Sequence, residues 1–222
     1  MKKISDDKVF SLHPLPDGFI YSYMVGINGD KVKVGYKTVA FEHTKISKVT
    51  KSIFMLSKFG AGYKSFAEKI KNYITCYAFP FEDGRTLVIE TDGSAVIYGL
   101  GGQEIWTGDF LYCQCPPSGA AVNGNTLWLT YKEQNTIIKY DLAAQRQELR
   151  IGGPNSPFAG PTGLFPAGSK LFICCKENKN IWKLDCSNYQ TELYIELEDK
   201  VVDYKFINNS EIAVLDSGIY FI

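Results

Sequence analysis

The sequence predicts an all-β fold: a six-bladed β-propeller of four-stranded antiparallel blades, one domain over residues 1–222. Three observations carry the prediction. First, residues 117–149 and 161–193 repeat one another without a gap, matching Pro117/Pro161, Gly119/Gly163, Gly124/Gly168, Leu127/Leu171, Lys132/Lys176, Glu133/Glu177, Ile137/Ile181, Lys139/Lys183, Asp141/Asp185 and Glu148/Glu192. A repeat of about 40 to 45 residues is the length of a propeller blade. Second, short apolar runs alternate with turn residues along the rest of the chain, the mark of consecutive hairpins. Third, the sequence stops after three strands of a blade, and an N-terminal segment with no blade of its own is left to supply the fourth.

Taken in order, residues 11–42 read as strands at 11–15, 19–25, 31–36 and 38–41, with turns at Pro16-Asp17-Gly18 and Asn28-Gly29-Asp30. Residues 43–76 keep the pattern less well, with strands expected at 46–49, 52–57, 63–70 and 73–76. Phe66, Ile70, Tyr73 and Ile74 also fall at helical spacing, so a short helix is the alternative there. Residues 77–111 give strands at 77–81, 86–90, 95–98 and 104–106, and Asp83-Gly84 and Asp92-Gly93 are strong hairpin signals.

The doubled unit places its first strands at 119–122 and 163–165 and its second at 126–131 and 170–175. The third strands fall at 136–142 and 180–186, the fourth at 147–151 and 192–197. Its second strands are aliphatic and aromatic runs, as expected where both faces of a blade are covered. Strands at 201–206, 211–216 and 218–222 leave an open ladder, which closed all-β folds avoid, so residues 3–10 are expected to complete that blade and close the ring. Six blades would average about 37 residues, short for this fold. Five blades with an insertion at 43–76 is the alternative.

The composition sets further bounds. Twenty-four basic residues balance 24 acidic ones, which argues against a nucleic-acid partner. The basic N-terminus lacks the apolar core of a secretory signal, and no apolar run is long enough to span a bilayer. The six cysteines are irregularly spaced and suggest no disulfide framework. A cytoplasmic monomer with reduced thiols, and no membrane partner, is the expectation.

The rhythm of the doubled unit is Pro-x-Gly, an apolar second strand, a Lys-Glu turn, then Ile-x-Lys-x-Asp. In this it resembles six-bladed propellers of the NHL, TolB-like and gluconolactonase type. The chain has no Gly-His or Trp-Asp pairs, so WD-repeat proteins match less well. The resemblance implies a binding face at one mouth of the channel, built from second-to-third turns and blade-to-blade connections. His43, Glu90, Lys132, Lys176 and Asp216 are candidate ligand-binding residues on that face. Phe158, in the loop at 152–160, is expected to be an exposed aromatic there, since long loops in compact domains are often functional.

Gluconolactonase-like proteins hold a divalent cation with a Glu, an Asn and an Asp on inner strands. This chain departs from that pattern, with Ser11-Leu12-His13-Pro14 and Thr162-Gly163 at two of the positions. Asp203 remains on an inner strand, with Glu90 and Asp216 as possible co-ligands from other blades. His13 and His43 lack the companions of a catalytic triad. Cys113 and Cys115 share one face if their segment is a strand, while Cys174 and Cys175 point to opposite faces and read as packing. Gly99-Leu100-Gly101-Gly102 joins strand to strand and reads as a turn, not a phosphate loop.

The expected function is a non-catalytic binding or scaffold module for a small molecule, peptide or protein, without a cofactor. The alternative is a metal-assisted hydrolase or lactonase holding a cation such as calcium on Glu90, Asp203 and Asp216.

Overall fold

The structure, a computed structural model, describes residues 1–222. Its strands, in chain order, begin with β1 (Lys2–Ser5), β2 (Val9–Leu15), β3 (Gly18–Asn28), β4 (Lys31–Ala40) and β5 (Lys45–Lys48), followed by the helix α1 (Lys51–Phe59). Next come β6 (Tyr77–Pro80), β7 (Thr86–Ile89), β8 (Ser94–Tyr98), β9 (Glu104–Asp109), β10 (Gly119–Asn123), β11 (Thr126–Tyr131), β12 (Thr136–Asp141) and β13 (Arg146–Gly152). The last are β14 (Pro161–Ala167), β15 (Lys170–Cys175), β16 (Asn180–Asp185), β17 (Thr191–Glu196), β18 (Val201–Ile207), β19 (Ser210–Leu215) and β20 (Gly218–Phe221).

They form five four-stranded sheets, each a propeller blade: β2–β5, β6–β9, β10–β13, β14–β17, and a last one ordered β1-β20-β19-β18. The N-terminal strand does supply the fourth strand of the last blade. Six blades is therefore corrected to five, with an insertion between the first two.

The miscount has a local cause. The expected strands at 31–36 and 38–41 are one continuous strand, β4, and the fourth strand of that blade is β5, paired as Lys37↔Lys48 to Ala40↔Lys45. What followed could not be a blade. Thr50 accepts a hydrogen bond from the Ile53 N–H and starts α1, and Gly60, at φ 79, ends it. Phe54, Met55, Lys58 and Phe59 form its buried face. Short 3-10 turns at Ala61–Ser65 and Ala67–Lys69 replace the strand expected at 63–70.

By contact the chain divides into two compact units. One comprises residues 4–110 with 207–209: the first two blades and the helical insertion. Its core includes Phe59, Phe66, Ile70, Cys76, Val88 and Tyr98, with the Phe66 and Tyr98 rings stacked at 4.6 Å. Both Asp-Gly pairs form the tight turns expected of them, with Gly84 at φ 83 and Gly93 at φ 89.

The other unit comprises residues 1–3, 111–206 and 210–222. There the conserved spacing of the doubled unit finds its physical meaning. Ile137 and Ile181 are fully buried, Lys139 and Lys183 pair across the blade with Glu148 and Glu192, and Asp141 and Asp185 cap turns by accepting from the Ala143 and Ser187 N–H groups. Cys175 packs in the core between the third and fourth blades, and Cys174 in the core of the fourth and fifth. Cys113 and Cys115 do not lie along a strand. Tyr112 and Cys115 bridge around a tight turn whose central residues, Cys113 and Gln114, have φ of 49 and 62.

Candidate functional site

In the unit of blades three to five, the innermost strands stand unusually close. A Cβ on Gly119 would overlap the Thr162 carbonyl oxygen, and one on Gly163 would sit 2.7 Å from the Val202 carbonyl oxygen and 2.9 Å from the Asp203 Cα. The Pro-x-Gly repeat is thus a requirement of strand-to-strand approach. Hydroxyls fill the remaining bonding capacity along this inner wall. Ser118 Oγ donates to Pro161 O at 2.8 Å, Thr130 Oγ1 to Thr162 O at 3.3 Å, and Thr162 Oγ1 lies 3.3 Å from Val202 O.

At one end of these strands lie the second-to-third turns. Lys132 begins a 3-10 turn whose backbone N–H bonds to Ser118 Oγ at 3.0 Å, and its exposed ammonium stands 3.6 Å from Glu133. One blade on, Lys176 pairs with Asp216 of the last blade at 2.9 Å. Lys132, Lys176 and Asp216 therefore occupy the turns where the sequence placed them, and two of them touch.

The loop at 152–160 is different from expectation. Phe158 is 1% exposed and sits in the core between the third and fourth blades, edge-on to Trp182 at 6.1 Å. It is not an exposed aromatic, because the loop folds inward around Asn135. That residue, left-handed at φ 49, accepts from Gly153 N through its carbonyl and from Gly160 N through its side chain. Ser156 Oγ adds a third bond to the Asn135 carbonyl at 3.2 Å. Sequence reasoning missed Asn135 and Ser118. An Asn following three polar residues at a hairpin turn is the signal that favours the left-handed conformation.

In the unit of blades one and two, His43 lies in the connection between the third and fourth strands, not in a blade-to-blade connection, and so belongs to the opposite end of its blade. It is exposed, with φ 71, and faces Glu42 at 3.7 Å. Glu90 is buried at the β7–β8 turn, where its two oxygens accept from the Lys71 and Asn72 N–H groups at 2.8 and 3.3 Å. His13 lies on β2 with its ring edge-on to Phe54.

Close to Glu90 lies a buried lysine. Lys58 is 1% exposed on the inner face of α1, and its ammonium donates to Ile74 O at 2.9 Å. Burial lowers its pKa to about 8, against smaller opposing pulls from Cys76 and Glu90. Burial likewise pushes the neighbouring Cys76 thiol up to about 11. Lys58 thus ties Ile74 to α1, and Glu90 ties Lys71 and Asn72 to the second blade.

The carboxylates considered for a cation do not fit one. Asp203 Oδ1 accepts from Lys205 Nζ at 2.6 Å and from the Tyr204 N–H at 2.9 Å. Asp216 is paired with Lys176, and both oxygens of Glu90 are taken by backbone. A divalent ion needs several oxygens converging on one point. No group of three or more His, Cys, Asp or Glu side chains is so placed. All six cysteines are free thiols, and no helix is long and apolar enough to cross a membrane.

No known family pattern matches the sequence, and no curated protein does. Solved structures do. A streptogramin B lyase is 12% identical with a TM-score of 0.51, over 98% of this chain and 69% of its own. Virginiamycin B lyase from Staphylococcus aureus is 14% identical with a TM-score of 0.53, over 96% of this chain and 65% of its own. The chain thus spans about two thirds of the length of these propellers, and at such identities the likeness is one of fold: this chain is a β-propeller, built with five blades.

Proposed function

We propose that this propeller is a non-catalytic binding module that engages a small molecule, peptide or protein through the turn face of blades three to five, with Lys132, Lys176 and Asp216 in contact. The observation that supports this most is how the candidate reactive groups are used. Asp203, Asp216 and Glu90 are held by a lysine, a lysine and two backbone N–H groups, and they do not gather with one another into a cation site. Lys132 is exposed and the Lys176–Asp216 pair partly exposed, on turns of a wall stiffened by hydroxyl-to-backbone bonds. Such preorganised polar groups contribute to recognition because little ordering is needed on binding. On this reading no cofactor is required, and a cytoplasmic monomer suffices. The likeness to NHL-type and gluconolactonase-type repeats is then a likeness of blade construction, because the shared positions serve turns, core and cross-strand pairs.

Backbone NMR spectra recorded against a panel of small carboxylates, sugars and short peptides test the reading. Shift changes concentrated at Lys132, Lys176 and Asp216 are expected, and Lys176→Ala should abolish them. Lactone hydrolysis that disappears on chelation would overturn it.

A further inference from the structure

The longest hairpin of the chain extends beyond its own blade. β2 pairs with β3 only as far as Tyr23, with one further bond from Met24 N to Lys8 O. On the other side, β5 pairs with β4 only from Lys37 onward, with one further bond from Val49 N to Tyr36 O. Past these points β3 and β4 continue as a two-stranded arm, paired as Met24↔Val34, Gly26↔Lys33, Ile27↔Val32 and Asn28↔Lys31. Its tip carries exposed apolar residues, with Ile27 69%, Val25 50% and Val32 48% exposed.

We propose that the free edge of β4 along Val32–Val34 is a strand-addition site for an extended segment of another protein in which acidic and apolar residues alternate. The direction of the backbone groups follows from the register. Tyr36 turns its carbonyl toward β5, and the bulge between Met24 and Gly26 lies in β3, so β4 alternates without interruption. Val34 and Val32 therefore turn both N–H and C=O outward, beyond the reach of β5. Side chains alternate too: Lys31 and Lys33 share one face of the strand, and Val32 and Val34 the other. An added strand would set carboxylates beside the two lysines and apolar residues beside the two valines.

The charge pattern selects among occupants. A second copy pairing edge to edge would set lysine against lysine, and a bilayer has no groups to pair with outward N–H and C=O. The outer strand β13 carries both signs of charge, Arg146, Glu148 and Arg150, whereas the free edge of the arm carries only lysine beside its valines. The arm is also firmly rooted. The Tyr23 ring covers Gly35, where a Cβ would meet it at 2.7 Å, and Lys37 Nζ lies 4.2 Å above that ring while bonding Asp7 at 2.7 Å.

The test uses the full chain and two fluorescent synthetic peptides, one alternating glutamate with valine and one alternating lysine with valine. Anisotropy should show the glutamate peptide binding at least about tenfold more tightly. Amide exchange at Val32 and Val34 should slow about tenfold on binding. The Lys31→Glu, Lys33→Glu double variant should reverse the peptide preference. Val34→Pro, which removes an outward N–H but no bond to β3, should weaken binding about tenfold without a large loss of Tm. Equal binding of both peptides, or no protection at Val32 and Val34, would overturn the proposal. So would a doubled mass of the free chain that buries the arm, or vesicle binding that depends on Val25 and Ile27 while neither peptide binds.

Discussion

Gly119 lies against the carbonyl of Thr162 so closely that no side chain fits between the two inner strands. The same holds one blade on, for Gly163 against Val202 and Asp203. Gly119→Ala and Gly163→Ala are each expected to cost about 3 kcal/mol, since neither neighbour is a side chain able to move aside. Gly124→Ala and Gly168→Ala provide the contrast. They face open space and lose only the freedom to hold φ 59 and 58, a cost of about 1 kcal/mol. Urea unfolding of the four variants separates the two cases.

Phe158→Ala is expected to destabilise the protein by about 3 to 5 kcal/mol, the range for emptying a core aromatic site. A loop tip that displays its aromatic to ligands would lose almost nothing. Thermal unfolding distinguishes the two.

The buried lysine gives stability a pH signature. Lys58 holds its proton to about pH 8 in the folded chain and to the ordinary lysine value of 10.5 when unfolded. Between these values the unfolded chain binds more protons, so stability rises with pH. The gain should be about 1 kcal/mol from pH 8 to pH 9. Above 9 the thiol of Cys76, whose pKa is raised by folding, works in the opposite direction: the unfolded thiol ionises first and its contribution to stability falls. A maximum near pH 10, where the two slopes cancel, is expected, and Lys58→Met should lack the rise. Urea midpoints across that range check it.

The Lys176–Asp216 pair is partly exposed, so Lys176→Ala should cost no more than about 1 kcal/mol. Adding calcium should leave Tm unchanged in both wild type and variant. A calcium-dependent rise would mean that Asp216 joins a cation site after all.

Deleting residues 1–5 removes β1 and bares the edge of β20. Self-association is expected, visible as a concentration-dependent mass in light scattering.

How legible these features were depended on where the information lay. Blade architecture was readable because turn chemistry and strand burial are local: Asp-Gly at 83–84 and 92–93, and Ile137 and Ile181 in the core. The blade count failed at residues 52–57, where Ser-Ile-Phe-Met-Leu-Ser reads as a buried strand. Only packing reveals that Ile53 and Leu56 face solvent while Lys58 faces the core. Phe158 was misjudged for a similar reason. A loop rich in Pro and Gly looks like an exposed spacer, and its inward course depends on Asn135, 23 positions away from Phe158 in sequence, together with Ser156. Partnership was the least legible property. Nothing in the sequence announced that Asp203 would be held by Lys205 or Glu90 by the Lys71 and Asn72 backbone.

The placement of β1 beside β20 also sets a timetable. β1 leaves the ribosome before β2–β19 and β20 after them, so β1 must wait unpaired while four blades are made. The last sheet then forms only by joining points separated by nearly the whole chain, a search that makes folding slow and leaves β1 exposed to wrong partners. Once joined, β1 and β20 come apart only if the final blade is opened, so fraying of either strand is coupled to the other.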